Sequence, residues 1–143
     1  MSDTTAPEPG TPAPGSTDDR TDDRTALESL VDEWLTLPDV AEVLGTEVSK
    51  VRGLVSERTL VGIKRGDRNT FQVPAAFLVT DDGAPHVLRT LRGTVLVLSD
   101  VGLDDAGILR WLFETEPSIG ATPIGELLAG RRAEVRRVAQ ALL

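Results

Sequence analysis

Forty residues from Leu35 to Pro74, LTLPDVAEVLGTEVSKVRGLVSERTLVGIKRGDRNTFQVP, constrain this chain more than any other feature. Within them the apolar period changes from that of a helix to that of a strand. A helix can begin after Leu37, with Pro38 in its first turn, where a missing N–H costs nothing, and Asp39 suited to the helix dipole. It continues through Val40, Ala41, Val43 and Leu44. Gly45 then stands where a left-handed glycine stops a helix, and Thr46 is placed to cap the next one. The second helix spans about residues 47–58. At ~100° per residue its Val48, Val51 and Val55 share a face with Leu54 beside them, while Ser49, Lys50 and Gly53 lie opposite and Arg52 at the edge.

After Leu60 the pattern alternates. Val61 and Ile63 are expected on one side, with Phe71 and Val73 returning on the same side, as in a hairpin half buried against helices. Its tip reads Arg65-Gly66-Asp67-Arg68-Asn69. Two short helices around a tight turn, followed by such a hairpin, give the layout of a winged helix-turn-helix. Small or hydrogen-bonding residues beside cations let a helix backbone approach base edges, so Ser49, Lys50, Arg52 and Gly53 are candidate DNA-binding residues. Lys64, Arg65 and Arg68 are candidates for phosphate or minor-groove contact from the wing. A merely solvated turn is the alternative for that tip.

The formal net charge of −8 opposes DNA binding until it is divided along the chain. Residues 1–46 hold eleven Asp/Glu against two Arg, and residues 74–143 nine against seven, whereas residues 47–73 hold six Lys/Arg against three Asp/Glu. The helix and wing singled out above form the net-positive stretch, and the local field is what a phosphate meets. The absence of cysteine removes disulfides and thiolate metal sites, and the single His86 argues against a histidine metal cluster. With no run of eighteen apolar residues and no charged-then-apolar leader, the expectation is a cytoplasmic protein, at the nucleoid if it binds DNA, with no membrane partner.

Residues 1–25 are poor in apolar side chains and rich in Thr, Pro, Gly and Asp, so they are expected to form a disordered acidic tail. Thr4, Thr5, Thr11, Thr17, Thr21 and Thr25 are candidate phosphorylation sites for a Ser/Thr protein kinase. A solubilising tail is the alternative. From Thr25, the residues Leu27, Leu30, Val31, Trp34 and Leu35 suggest an amphipathic supporting helix. Residues 26–78 would then be the winged helix-turn-helix domain and residues 79–143 a C-terminal helical domain. In the latter, Thr80-Asp81-Asp82-Gly83 reads as a turn and Leu88, Leu91, Val95 and Leu98 as a helix ended by Gly102, with a buried strand as the alternative. Asp104 or Asp105 opens another helix, Thr122-Pro123 caps a third, and Val135, Val138, Ala139 and Leu142 face inward on the last.

The order LTLPDVAEVLGTEVSKVRGLV, a wing ending FQVP, LRGTVLVLSDVGLDDAGILRWLF and EVRRVAQAL resembles a family of small actinobacterial winged helix-turn-helix DNA-binding proteins. These carry a C-terminal helical domain and a disordered N-terminal tail of kinase-substrate type. The resemblance covers roughly residues 27–143 and implies double-stranded DNA as partner, no catalysis and no cofactor. Excisionase-like and MerR-like domains share the LTxxxVAxxLG pattern of the first half. The segment WLFETEPSIGATPIGELLAG is also similar to antitoxin toxin-binding domains, which implies a different function: a protein partner held by the C-terminal domain.

An enzyme is not expected. GxxxxGK[ST], HExxH and GxSxG motifs are all missing, and the Asp pairs at 18–19, 22–23, 81–82 and 104–105 fall in tail, turn or cap contexts. The fold class expected is mainly α with a small β-hairpin wing, a winged helix-turn-helix followed by a helical bundle. Its expected role is that of a transcriptional regulator or nucleoid-associated factor with no metal site.

Overall fold

The computed structural model describes residues 25–81 and 83–143. Thr4, Thr5, Thr11, Thr17 and Thr21 of the tail, and Asp82 of the turn, lie outside the described residues. Helix α1 occupies residues 25–30, with Leu27 wholly buried and Thr25 exposed. It stops sooner than the apolar spacing suggests. Trp34–Thr36 form strand β1 instead, which pairs antiparallel with β3 (Thr70–Pro74) through Leu35 opposite Val73.

Helix α2 (Leu37–Leu44) begins with Thr36 and Asp39 bonded reciprocally, each side chain to the other's backbone N–H, at 3.2 and 3.1 Å. Gly45, at φ +69°, ends it, and the Thr46 N–H returns to the Ala41 carbonyl at 2.9 Å. Thr46 therefore serves the end of α2 rather than capping the next helix. Glu47 is the N-cap of α3 (Val48–Ser56) and gives it no side-chain cap bond. Val51 is the buried centre of α3. The turn between the two helices is as short as expected, because Gly45 supplies the left-handed backbone that most side chains resist.

Strand β2 (Ile63–Arg65) completes a three-stranded sheet in the order β1-β3-β2. Here the register differs from the one expected. Ile63 pairs with Gln72 and Lys64 with Phe71, so Ile63 and Phe71 point to opposite faces. Ile63 is buried on one face and Val73 on the other, which is why alternation did not fix the pairing. At Gly62 a Cβ would collide with the Gln72 carbonyl oxygen, so the two backbones meet at a distance only glycine allows.

A 3₁₀ turn (Ala75–Phe77) leads into a second hairpin, β4 (Leu78–Asp81) and β5 (Ala84–Val87), which the sequence reading took for a simple turn. Four helices follow: α4 (Leu91–Val101), α5 (Asp105–Phe113), α6 (Pro123–Leu128) and α7 (Arg132–Gln140). Gly102 at φ +110° ends α4, while Asp104 and Thr122 cap α5 and α6 through the N–H groups of Gly107 and Gly125. Val135, Val138 and Ala139 point inward as expected, but Leu142 is exposed just beyond the end of α7.

The core is continuous between the two halves. Val40, Val51, Leu60, Val73 and Phe77 join Leu91, Leu98, Ile108, Leu112 and Val135 in a single cluster. Each fully buried side chain of this kind contributes roughly 1.5–3 kcal/mol through removal from water. Phe77 also meets Phe113 with ring centroids 5.7 Å apart. The α3 and wing surfaces are thus fixed on a core to which the C-terminal helices contribute.

Candidate nucleic-acid interface

Burying Val51 turns the opposite face of α3 outward. Ser49, Lys50 and Arg52 are exposed there, and a shallow depression is lined by Ser49, Lys50, Gly53, Leu54 and Glu57. Gly53 is informative because a Cβ at this position would meet nothing within 4 Å. A mid-helix glycine is worth about 1 kcal/mol less than alanine in helix stability, and packing does not require it here. It leaves an open strip of helix backbone between Ser49 and Glu57 that another molecule can approach closely. The N–H groups of the first α3 turn add partial positive charge at the same end.

Strand alternation divides the three wing cations. Lys64 shares the face of Phe71 and remains exposed. Arg68 is exposed in the turn between Gly66 (φ +83°) and Asn69 (φ +54°), closed by the Asn69 N–H bonded to the Gly66 carbonyl at 3.0 Å. Neither Lys64 nor Arg68 has a carboxylate partner among the described residues.

Arg65 is placed differently. Its guanidinium grips both carboxylate oxygens of Glu28, donates to Gln72 Oε1 at 3.0 Å and lies 4.7 Å from the Trp34 ring centroid. These contacts join α1, β1, β2 and β3, so Arg65 braces the root of the wing. Glu28 and Gln72 were not singled out from the sequence, and Trp34 was expected only as an apolar residue of the supporting helix. Glu28 lies 37 positions from Arg65, and no local spacing signals a contact of that range.

A second brace lies behind α3. Its last turn closes with the Thr59 N–H bonded to the Leu54 carbonyl and the Arg58 N–H to that of Val55, the arrangement that normally places glycine in the left-handed position. Here Arg58 occupies it at φ +65°, and its side chain reaches Asp105 at 2.9 Å. Arg58, Lys64 and Phe71 border a cleft of about 580 Å³ against Ser99, Leu103 and Asp105 of the C-terminal half.

The described residues contain no group of three or more His, Asp or Glu arranged to hold a metal. His86 instead pairs with Asp81 in the second hairpin at 2.6 Å. No described helix is long and apolar enough to cross a membrane.

Two family models match this chain. Residues 24–78 match the model described as DNA-binding protein Rv2175c, wHTH domain, and residues 88–143 match the Rv2175c C-terminal domain of unknown function. A relative from Mycobacterium tuberculosis named DNA-binding protein Rv2175c is 35% identical over 145 residues, covering 91% of this chain and 96% of its own. The chain belongs to the Rv2175c family. An NMR structure of Rv2175c superimposes with a TM-score of 0.66 at 35% identity, covering 78% of this chain and 81% of the other. The fold class, a winged helix-turn-helix with a C-terminal helical part, is therefore that of the Rv2175c family.

Proposed function

We propose that this chain binds double-stranded DNA, placing α3 in the major groove and the wing on the adjacent backbone. The observation that carries the reading is the α3 strip left open at Gly53, beside Ser49, Lys50 and Arg52, together with the exposed wing cations Lys64 and Arg68. These side chains supply donors for base edges and cations for phosphates, the two components of duplex recognition. The name of the 35% identical relative supports the same assignment. In this reading residues 26–78 engage DNA, residues 79–143 brace them, and Arg65 acts on DNA indirectly by holding the wing.

The biological role is that of a transcriptional regulator or nucleoid-associated factor in the cytoplasm, a binding protein rather than an enzyme. A Ser/Thr kinase acting on the threonines of residues 1–25 would add about −1.5 to −2 charges per site, and that charge would compete with DNA for the basic face. The protein-partner reading has less to stand on. Leu112, Ile124 and Leu127 of the antitoxin-like segment are buried in the chain's own core, which leaves Leu128 as its exposed large apolar residue.

Fluorescence anisotropy of a labelled duplex tests the proposal. Lys50→Ala with Arg52→Ala is expected to weaken binding about tenfold or more while helical content is unchanged, since tenfold corresponds to ~1.4 kcal/mol. Failure of the wild-type chain to bind any duplex at low salt, or wild-type affinity in the double variant, would overturn it.

A further inference from the structure

The C-terminal half directs one arginine to the end of α3. Arg92, in the first turn of α4, donates its Nε–H to the Glu57 carbonyl at the end of α3, at 2.8 Å. Glu57 closes the depression that Ser49, Lys50 and Gly53 line. At the next position, Gly93, the space a Cβ would need is filled by the Arg136 guanidinium of α7. Arg132 lies one turn before Arg136 on the same exposed stripe.

Two acids of α6 and α7 are engaged elsewhere. Glu126 holds Arg131 at 2.7 and 2.9 Å, and Glu134 holds Arg137 at 2.6 Å. Arg132 and Arg136 therefore have no carboxylate partner among the described residues. Arg92 has a local explanation, since its guanidinium sits at the C-terminal carbonyls of α3, where a cation is favoured. Arg132 and Arg136 do not: Arg132 stands in the first turn of α7, where the helix dipole disfavours positive charge, and it repels Arg136 at a spacing of four. Cations placed against the interests of their own helix suit an anion that approaches from outside.

We propose that Arg92, Arg132 and Arg136 form a phosphate-binding strip, through which the C-terminal half holds the DNA backbone flanking the groove entered by α3. The inference rests on the DNA-binding reading above and extends it to a part of the chain whose family model is described as of unknown function. Duplex DNA is the occupant that fits, because the strip is cationic and runs on from the α3 depression through the Arg92–Glu57 bond.

The test compares two double variants of the full chain on a labelled random-sequence duplex over a range of salt concentrations. Arg132→Gln with Arg136→Gln is expected to flatten the slope of log K against log salt by up to about 2, at ~0.9 per phosphate contact. It should melt no lower than wild type, since it relieves the repulsion within α7. Arg131→Gln with Arg137→Gln removes the same charge from residues already paired with acids, and should change the slope much less. Equal effects from the two pairs would reduce the result to net charge and overturn the strip. Wild-type binding with an unchanged slope in the Arg132/Arg136 variant would sink the strip alone, while absence of wild-type binding would remove the DNA reading with it.

Discussion

The described residues contain two antiparallel hairpins of opposite chemistry. Both turn through a glycine at nearly the same positive φ, +83° at Gly66 and +84° at Gly83. The first is built into a three-stranded sheet, with Val73 buried at its centre and Lys64 and Arg68 exposed toward its tip. The second pairs only with itself and carries Asp81 and His86 on a largely exposed ribbon. A left-handed turn glycine therefore says little about use. Burial of the strand roots gives the first hairpin a fixed position beside α3, and its charge decides which partner it can meet.

Phe77 connects the two hairpins and gives the largest expected effect. It lies in the turn between β3 and β4, its carbonyl accepts the Leu88 N–H at 2.8 Å, and its side chain is wholly buried. Phe77→Ala should lower stability by about 3–5 kcal/mol in urea denaturation and shift a single transition, because both halves share one core. Two separated transitions would mean that the halves fold independently.

Next comes charge. Lys64→Glu with Arg68→Glu should reduce duplex affinity by about 10²-fold, whereas Asp81→Lys in the second hairpin should change it little. Comparable effects in anisotropy titrations would remove the distinction between the two hairpins. Arg65→Ala should cost roughly 1 kcal/mol of stability, the half-exposed Glu28 carboxylate keeping the figure low. It should also weaken DNA binding less than loss of Lys64 and Arg68; a larger loss would place Arg65 on the DNA after all.

The smallest effect belongs to His86. Its Nδ1 faces the Val87 carbonyl at 3.0 Å and its Nε2 faces Asp81, so both ring nitrogens can donate only in the imidazolium form. The Val87 carbonyl, and then the Asp81 carboxylate, raise its pKa above 6.5, while the hydrogen bond from His86 holds Asp81 below 3.8. The stability from His86 is fully present below pH 6.5 and fades as pH rises through the raised value. That from Asp81 is present above pH 3.8 and fades as pH falls through the lowered one. His86→Gln should remove a small decline in melting temperature on the neutral side, and an identical pH profile in the variant would contradict the pairing.

Much of this fold was legible because its signals are local. Pro38, Gly45, Gly102, Asp104 and Thr122-Pro123 act within a turn of where they stand, and each starts or ends a helix where its chemistry suggests. β1 was not legible, since three residues are too few to show a period and Trp34 and Leu35 also suit the spacing of α1. The β2–β3 register was hidden by burial on both faces of the sheet. The second hairpin contains Pro85 and His86, poor signals for a strand. The exposed positions of Ser49, Lys50 and Arg52 followed from helical periodicity and those of Lys64 and Arg68 from the lack of apolar residues at the hairpin tip, but the diversion of Arg65 to Glu28, and the approach of Arg92 to Glu57, depend on contacts distant in sequence.

The central claim, that α3 and the first hairpin form the DNA-binding face, is tested most directly by amide chemical shifts of the full chain titrated with duplex DNA. The account predicts the largest changes at Ser49, Lys50, Arg52 and Gly53 and around Lys64 and Arg68, with β4 and β5 little affected. Changes centred on Asp81 and His86, or on the Trp111-to-Leu128 segment with α3 silent, would contradict it.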